Sequence, residues 1–143
     1  MSTTTPPAAE VIPGIIDEIY AGFMTRDTDS MDKHFFEDIS IWIPSEFPLV
    51  DGIAGLNGVR ARRPVDGDVN RAVKIDVPEI TIDQHGDVAW VRHVIVVHYP
   101  DGEADVMRCT SVWQAVDGRW LERHSHEDLL PAGTTYPFPD PTA

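Results

Sequence analysis

The sequence has a single cysteine and few basic residues. One cysteine excludes an internal disulfide. Cys109 lies in the middle of a predicted strand with nothing nearby in the sequence that would activate a thiol, so we interpret it as a small buried side chain rather than a nucleophile. Eleven lysines and arginines stand against twenty-four aspartates and glutamates, which gives a net charge of −13. Such a surface repels phosphate backbones and anionic lipids, so neither nucleic acid nor a membrane surface is expected as a partner.

Other features are missing from the sequence as well. It contains no apolar run of eighteen residues and no charged leader ahead of an apolar segment. It also has no glycine-rich phosphate loop, nucleotide fingerprint or Ser-His-Asp spacing. We therefore expect a cytoplasmic protein without serine-hydrolase chemistry, in which any catalysis requires no cofactor.

The chain length of 143 residues, 42% of them hydrophobic, is sufficient for one hydrophobic core. We predict a flexible N-terminus over residues 1–12, a single domain over 13–130 and a proline-rich C-terminal arm over 131–143. The arm contains four prolines together with Tyr136 and Phe138. It is either a frayed tail or an extended segment that lies across a neighbouring molecule.

Three Asp-Gly turns divide the second half of the chain. Gly86, Gly102 and Gly118 are sixteen residues apart, and each has an aspartate beside it, a pair that supplies the positive φ of a tight hairpin. The segments around these turns are rich in Val, Ile, Trp and Thr, and they cover residues 73–84, 88–99, 104–116 and 119–128. They predict a four-stranded antiparallel meander. At about 3.3 Å per residue such strands reach about 40 Å, so the twisted sheet must curve.

The first half of the chain predicts helices. An apolar stripe at helical spacing is formed by Ile15, Ile16, Ile19, Tyr20 and Phe23. A second, short helix is indicated by Thr28-Asp29-Ser30 ahead of Met31, Phe35 and Phe36.

A short strand over residues 39–43, a loop over 44–51, a weak third helix over 52–62 and a loop over 64–70 complete the prediction. The fold class is α+β, with N-terminal helices packed in a strongly curved antiparallel meander.

The register of the last hairpin decides which polar side chains share a face. A two-residue turn would place Trp113 and Cys109 on the face that carries Trp120, His124 and His126. A three-residue turn with a glycine bulge would instead place Trp113 and Ser111 with Leu121, Ser125 and Glu127. The sequence leaves both registers open.

The segment from His124 to Asp128 alternates two imidazoles and a carboxylate on one side of a strand. We interpret the two histidines as a structural or dimer-facing pair. A metal site is the alternative, although His93 and His98 cannot be assigned to the same face without the register.

These segments carry a resemblance to a known family. Residues 108–113, 117–120 and 124–126 resemble the closing hairpin of SnoaL-like proteins in the NTF2-like superfamily. Residues 37–44, 48–52 and 88–92 resemble the first strand, the loop after it and the second long strand, so the likeness covers about residues 15–131. The resemblance implies a cone-shaped α+β barrel, a homodimer formed through the sheet, and a pocket between the helices and the concave sheet.

The resemblance does not imply one reaction, because the superfamily includes steroid isomerases, polyketide cyclases, dehydratases, epoxide hydrolases and inert binding or assembly modules. Alignment with the steroid isomerases puts Ile43 where they have a catalytic aspartate, and Arg108 near their oxyanion acid. Their tyrosine aligns with Ile19, beside Tyr20.

A second resemblance is to the association domain of calcium/calmodulin-dependent protein kinase. One pocket arginine of that domain is matched by Arg92, whereas two others are replaced by Ser111 and Glu127. The likeness therefore implies a changed ligand, and it favours the bulged register.

The candidate catalytic residues are Glu127, Arg92 and Arg108. Arg92 either faces the pocket or forms a structural ion pair, and Arg108 either stabilises an enolate or pairs with a carboxylate. Glu127 is either a general base or the partner of one of these arginines. The predicted pocket is lined by Tyr20, Trp42, Trp90, Ser111, Trp113, His124 and His126.

We expect this pocket to bind a small hydrophobic carbonyl-type molecule. The predicted activity is that of a cofactor-free cyclase, dehydratase or isomerase that acts by acid–base chemistry. One alternative is a non-catalytic ligand-binding or assembly module, and another is a metal-dependent enzyme that uses His124 and His126.

Overall fold

The computed structural model describes residues 4–63 and 71–140. The helices are α1 (Ala8–Thr25), α2 (Thr28–Asp32) and α3 (Gly52–Arg62), and the strands are β1 (Phe35–Trp42), β2 (Val50–Asp51), β3 (Lys74–His85), β4 (Val88–His98), β5 (Ala104–Val116) and β6 (Arg119–Leu129). The strands form one curved mixed sheet in the order β2-β1-β6-β5-β4-β3. The predicted α+β cone with a meander of four long strands is thus confirmed, and β1 adds a parallel pair with β6.

The first core lies between α1 and the concave side of the sheet, which we call the inner face. Ile12, Ile16 and Ile19 of α1 pack with Trp113 and Trp120 in one buried cluster. Of the stripe predicted for this helix, Ile16 and Ile19 are buried and Ile15 and Tyr20 pack against the cluster, whereas Phe23 is 42% exposed. The opposite side of the sheet is called the outer face below.

The N-terminal boundary that the sequence suggested at residue 12 falls inside α1. Ala8, the first residue of the helix, is fully buried, and its backbone N–H donates to the Gln84 side chain at 2.8 Å. The indole N–H of Trp120 donates to the Pro6 carbonyl, also at 2.8 Å. These contacts join the described part of the N-terminus to both edges of the meander.

The second helix is shorter than predicted. It ends at Asp32, and Phe35 and Phe36 belong to β1 instead. These aromatic residues favour a strand, and β1 finds a hydrogen-bonding partner in β6, which outweighs the helical spacing of Met31 and Phe35. The cap also differs from the prediction, because the Asp27 carboxylate accepts the backbone N–H of Ser30 at 3.3 Å.

The third helix has the predicted bounds. Leu56 and Val59 of α3 pack in a second buried cluster with Ile39, Ile41 and Val50. Two residues of the predicted loop over 44–51 form β2, which pairs with β1. The loop predicted over residues 64–70 lies outside the described residues.

The last hairpin combines features of both predicted registers. Asp117 and Gly118 have φ of 53° and 80°, and Val116 pairs with Arg119, so the turn has two residues. Trp113 is opposite Glu122, but Val112 is opposite His124. Arg123 is therefore an extra residue in β6, a bulge within the strand rather than in the turn.

This bulge reverses the facing of the rest of β6. Ser125 and Glu127 lie on the inner face, opposite Ser111 and Cys109 respectively. Neither predicted register is therefore right as a whole. The residues of β6 before Arg123 face as predicted for the two-residue turn. The residues after Arg123 face as predicted for the bulged hairpin.

The described part of the C-terminal arm lies on the outer face of its own sheet. The Tyr136 hydroxyl donates to the Glu79 carboxylate at 2.9 Å, and the Phe138 ring meets the Tyr136 ring edge to face at 5.2 Å.

No helix among residues 4–63 and 71–140 is long and apolar enough to cross a membrane.

Candidate functional site

A cavity of 610 Å³ lies between the helices and the inner face of the sheet. Its wall is mainly apolar and includes Ile19, Ile41, Leu56, Ile95, Val97 and Trp113. The polar groups that reach it from α1 and the long strands are Tyr20, His93, Ser111, Glu122, Ser125 and Glu127. An apolar pocket with a few converging polar groups is the usual form of a small-molecule site.

Two carboxylic acids, Glu122 and Glu127, reach the cavity from β6. Burial raises the pKa of Glu122 to about 8, the charge of Glu127 raises it further, and a hydrogen bond to Ser125 opposes both effects. Burial also raises the pKa of Glu127, but the nearby Arg63 guanidinium lowers it. Glu122 therefore carries a proton at neutral pH, whereas a cation favours the charged form of Glu127.

A buried tyrosine and histidine lie together on another part of the wall. The Tyr20 hydroxyl and His93 Nε2 are 2.6 Å apart. Burial lowers the pKa of His93 to about 4 and raises that of Tyr20 well above its ordinary value, so both groups are neutral at pH 7. Within the described part of the chain, His93 Nδ1 is buried without a hydrogen-bond partner.

Two of the β5 residues that line the cavity, Ser111 and Trp113, are hydrogen-bonded to each other. The Trp113 indole N–H donates to the Ser111 hydroxyl at 2.8 Å, and both residues are almost fully buried. This contact satisfies the only polar atom of the tryptophan side chain and orients the serine. This hydrogen bond fixes how both side chains are oriented in the cavity wall.

Cys109 lies deeper on the same face of β5. Burial raises the pKa of its thiol to about 12, so it remains protonated at neutral pH. It is 3% exposed. The structure agrees with the interpretation of Cys109 as a buried apolar side chain.

The arginines Arg26, Arg60, Arg63 and Arg71 also line this cavity. They are four of the eleven basic residues in the chain. Arg60 is held by the Asp32 carboxylate through contacts of 2.8 and 2.9 Å. The Arg63 guanidinium lies over the Phe23 ring, 5.7 Å from its centre.

Four of the residues predicted from the sequence lie in the wall of this cavity, namely Tyr20, Ser111, Trp113 and Glu127. The other four predicted pocket residues do not line it. Trp42 is 40% exposed, and Trp90 stacks on His85 with ring centres 4.9 Å apart. The Ser40 hydroxyl lies 2.7 Å from His124 Nδ1, and His126 is exposed. The two histidines face outward because the bulge at Arg123 reverses the strand.

Arg92 and Arg108 lie on the outer face. Each occupies an even position of its strand, whereas the inward side chains of β4 and β5 are at odd positions. Arg92 forms an ion pair with Asp83, and Arg108 forms one with Asp128. Of the alternatives that the sequence left open, the geometry agrees with structural ion pairs rather than with arginines that face the main cavity.

A second cavity, of 580 Å³, lies on this outer face. Its wall includes Arg92, Arg108, Thr110, His126, Asp128 and Phe138. No three histidine, cysteine, aspartate or glutamate side chains of the described ranges, 4–63 and 71–140, are grouped closely enough to hold a metal ion.

Glu122 was missed by the sequence analysis. Its alternation with Trp120 on β6 was the available signal, because two residues of the same parity share a face. Glutamate side chains are almost never fully buried without a partner, so the sequence alone predicts an exposed side chain at position 122. Only the packing around it shows that the side chain is buried.

Comparisons with known proteins agree with this architecture. Residues 12–130 match the family model of the SnoaL-like domain. Comparison with curated protein sequences gives no significant match.

Several solved structures are similar to the chain. A CaMKII hub from S. rosetta is 19% identical with a TM-score of 0.73, covering 89% of this chain and all of the other. An NTF2-like protein of unknown function from Pseudomonas putida KT2440 is 17% identical with a TM-score of 0.71, covering 87% and 89%. A candidate ketosteroid isomerase from Parabacteroides distasonis ATCC 8503 is 16% identical with a TM-score of 0.70, covering 91% and 95%. At this level of identity the similarity shows the fold alone.

Proposed function

We propose that this chain, which belongs to the SnoaL-like domain family, binds a small, largely apolar carbonyl compound in its inner cavity and transfers protons on it without a cofactor. The observation that carries the proposal is the pair of carboxylic acids, Glu122 and Glu127, in the wall of an otherwise apolar cavity. Two carboxyl groups with separated acidities are the usual arrangement for an acid and a base in one site.

The two glutamates have different roles in this proposal. Glu127 takes the proton from the carbon next to the ligand carbonyl, and Glu122 donates its proton to the carbonyl oxygen, which gives a neutral enol. Return of the proton to another carbon completes an isomerisation, loss of a β-hydroxyl completes a dehydration, and attack of the enol on a second carbonyl completes a cyclisation. The neutral Tyr20 hydroxyl is a further hydrogen-bond donor in the same wall.

The test is proton exchange at a carbon next to a carbonyl. Wild-type protein in D2O is expected to accelerate deuterium incorporation next to the carbonyl of 1-tetralone, followed by NMR. Glu127→Gln and Glu122→Gln should each lower the rate by about a hundredfold or more, since each removes one proton-transfer group. Glu79→Gln, on the outer face, is the matched control. An unchanged rate in Glu127→Gln overturns the proposed chemistry.

A non-catalytic assembly module is the second candidate. It is supported by the similarity to a CaMKII hub. In this function a homodimer would form through the outer face of the sheet, where the second cavity lies. Size-exclusion chromatography with light scattering tests it. A dimer that becomes a monomer in Thr110→Arg, together with no exchange activity in wild-type protein, would favour this function over the catalytic one.

A further inference from the structure

We propose that the ligand of the inner cavity carries one carboxylate, which the arginines in the cavity wall bind while its apolar body and carbonyl group lie among the apolar side chains. The inference rests on the proposed function, because it names the substrate class of the same site. The first observation is the distribution of positive charge. The chain has a net charge of −13, yet four of its eleven basic residues line one cavity.

The arginines of this cavity differ in how they are paired. Of the seven basic side chains that do not line the cavity, six form ion pairs with acids, as Arg62 does with Glu46, and Arg119 donates to the Lys33 carbonyl at 3.0 Å. Within the cavity wall Arg60 is paired with Asp32. Arg63 and Arg71, by contrast, form no salt bridge with any carboxylate among the described residues. An acidic protein with two such cations beside an apolar cavity has a site that attracts an anion.

The position of Arg63 suits a carboxylate. Its guanidinium lies over the Phe23 ring, which leaves the N–H groups at the edge of the plane available to a ligand. A guanidinium binds a carboxylate preferentially through two parallel N–H···O hydrogen bonds. Phe23 itself is 42% exposed, so this end of the cavity is open to solvent.

The same arginine connects ligand binding to the proposed chemistry. Burial raises the pKa of Glu127, and the positive charge of Arg63 opposes this shift. A ligand carboxylate on Arg63 offsets part of that charge, so ligand binding and the ionisation of Glu127 are coupled.

A single negative charge fits better than a phosphate. A dianion near Arg63 would also lie close to the Glu127 carboxyl group, and the sequence has no glycine-rich loop to supply backbone N–H groups to a phosphate. We therefore assign the binding site to a carboxylate.

The experiment compares three ligands of the same aromatic body by isothermal titration calorimetry: 2-naphthylacetate, 2-naphthylacetamide and 2-naphthylmethyl phosphate. Wild-type protein is expected to bind the acetate about tenfold more tightly than the amide, with the ratio falling as salt is added. The double variant Arg63→Gln/Arg71→Gln should bind both with similar affinity. Arg62→Gln/Arg119→Gln removes the same charge from exposed positions that do not line the cavity, and it should keep the wild-type ratio.

The outcomes separate this inference from the proposed function. Equal binding of acetate and amide by wild-type protein overturns the inference, as does tighter binding of the phosphate or no binding of any of the three. None of these results alters the 1-tetralone exchange test, which uses a neutral ligand. If the acetate preference depends on Arg63 and Arg71 but Glu127→Gln leaves exchange unchanged, the ligand assignment stands and the acid–base chemistry fails.

Discussion

Glu122 and Glu127 are five positions apart on one strand, and both side chains line the same cavity. An odd separation on a regular strand would put them on opposite faces. The bulge at Arg123 removes this conflict by adding one residue between them. Arg123 is held on the outer side, where its guanidinium lies 3.7 Å from the centre of the Phe36 ring and contacts the Asp38 carboxylate at 2.6 Å.

Deletion of Arg123 should restore regular alternation in β6. We expect Ser125 and Glu127 to turn to the outer face, since loss of one residue reverses every later side chain. Proton exchange in 1-tetralone should then fall to the level of Glu127→Gln, and a crystal structure would show the new register. Arg123→Ala keeps the extra residue and should lose only about 1 kcal/mol of stability, through the lost outer contacts. A deletion variant with Glu127 still in the cavity would contradict this account of the bulge.

The stability of the protein should depend on pH through Glu122. Its pKa is raised from 4.5 to about 8 in the folded state, so between these values the folded protein holds a proton that the unfolded chain has released. The free energy of unfolding therefore falls as pH rises through this range, and the contribution is fully present only below pH 4.5.

Glu122→Gln should remove this dependence, because glutamine does not ionise. Relative to the variant, wild-type protein should lose about 4 kcal/mol between the lower and upper ends of the range, measured by urea unfolding at several pH values. His93, whose pKa is lowered to about 4, weakens both proteins as pH falls below 6.5, and it cancels in the comparison. Parallel curves for the two proteins would mean that Glu122 is not held protonated by burial.

Tyr20→Phe should destabilise the protein more than removal of a comparable hydroxyl elsewhere. It leaves Nε2 of His93 unpaired as well as Nδ1, in a buried position, at a cost of about 1 to 3 kcal/mol. Tyr99→Phe is the control, because its hydroxyl donates to the more accessible Asp105 at 2.9 Å, and it should cost less than about 1 kcal/mol. Equal losses in urea unfolding would argue against a special role for the buried pair.

Gly22 is required where α1 meets α2. A Cβ at this position would lie 2.8 Å from Met31 Cγ and 3.0 Å from the Asp27 carbonyl oxygen. Gly22→Ala should therefore lower the thermal midpoint and cost about 1 kcal/mol or more, despite the better helix propensity of alanine. Gly14→Ala, in the same helix with no atom within 4 Å of the added Cβ, should stabilise by about 0.5 to 1 kcal/mol. A stabilised Gly22→Ala variant would show that the two helices are not in close contact there.

Local signals in the sequence were enough for most of the elements. Asp117 and Gly118 predict a tight turn because they tolerate positive φ, although the sequence left the length of the turn open. The apolar stripe that includes Ile16 and Ile19 predicts a buried helix face. These features depend on neighbours within a few residues along the chain. The same holds for α3, whose bounds the sequence predicted.

The sequence by itself determined the order of the helices and the long strands, because periodicity and turn residues act locally. Of the pocket residues it predicted, Tyr20, Ser111 and Trp113 line the cavity, whereas Trp42, Trp90, His124 and His126 do not. Tertiary structure alone decided that Phe35 and Phe36 join a strand, that Arg92 and Arg108 face outward, and that Glu122 and Glu127 share a cavity. Each of those outcomes depends on pairing between strands distant in sequence. One extra residue, Arg123, reverses the faces after it, and its conformation is held by contacts with Phe36 and Asp38, far away in the chain.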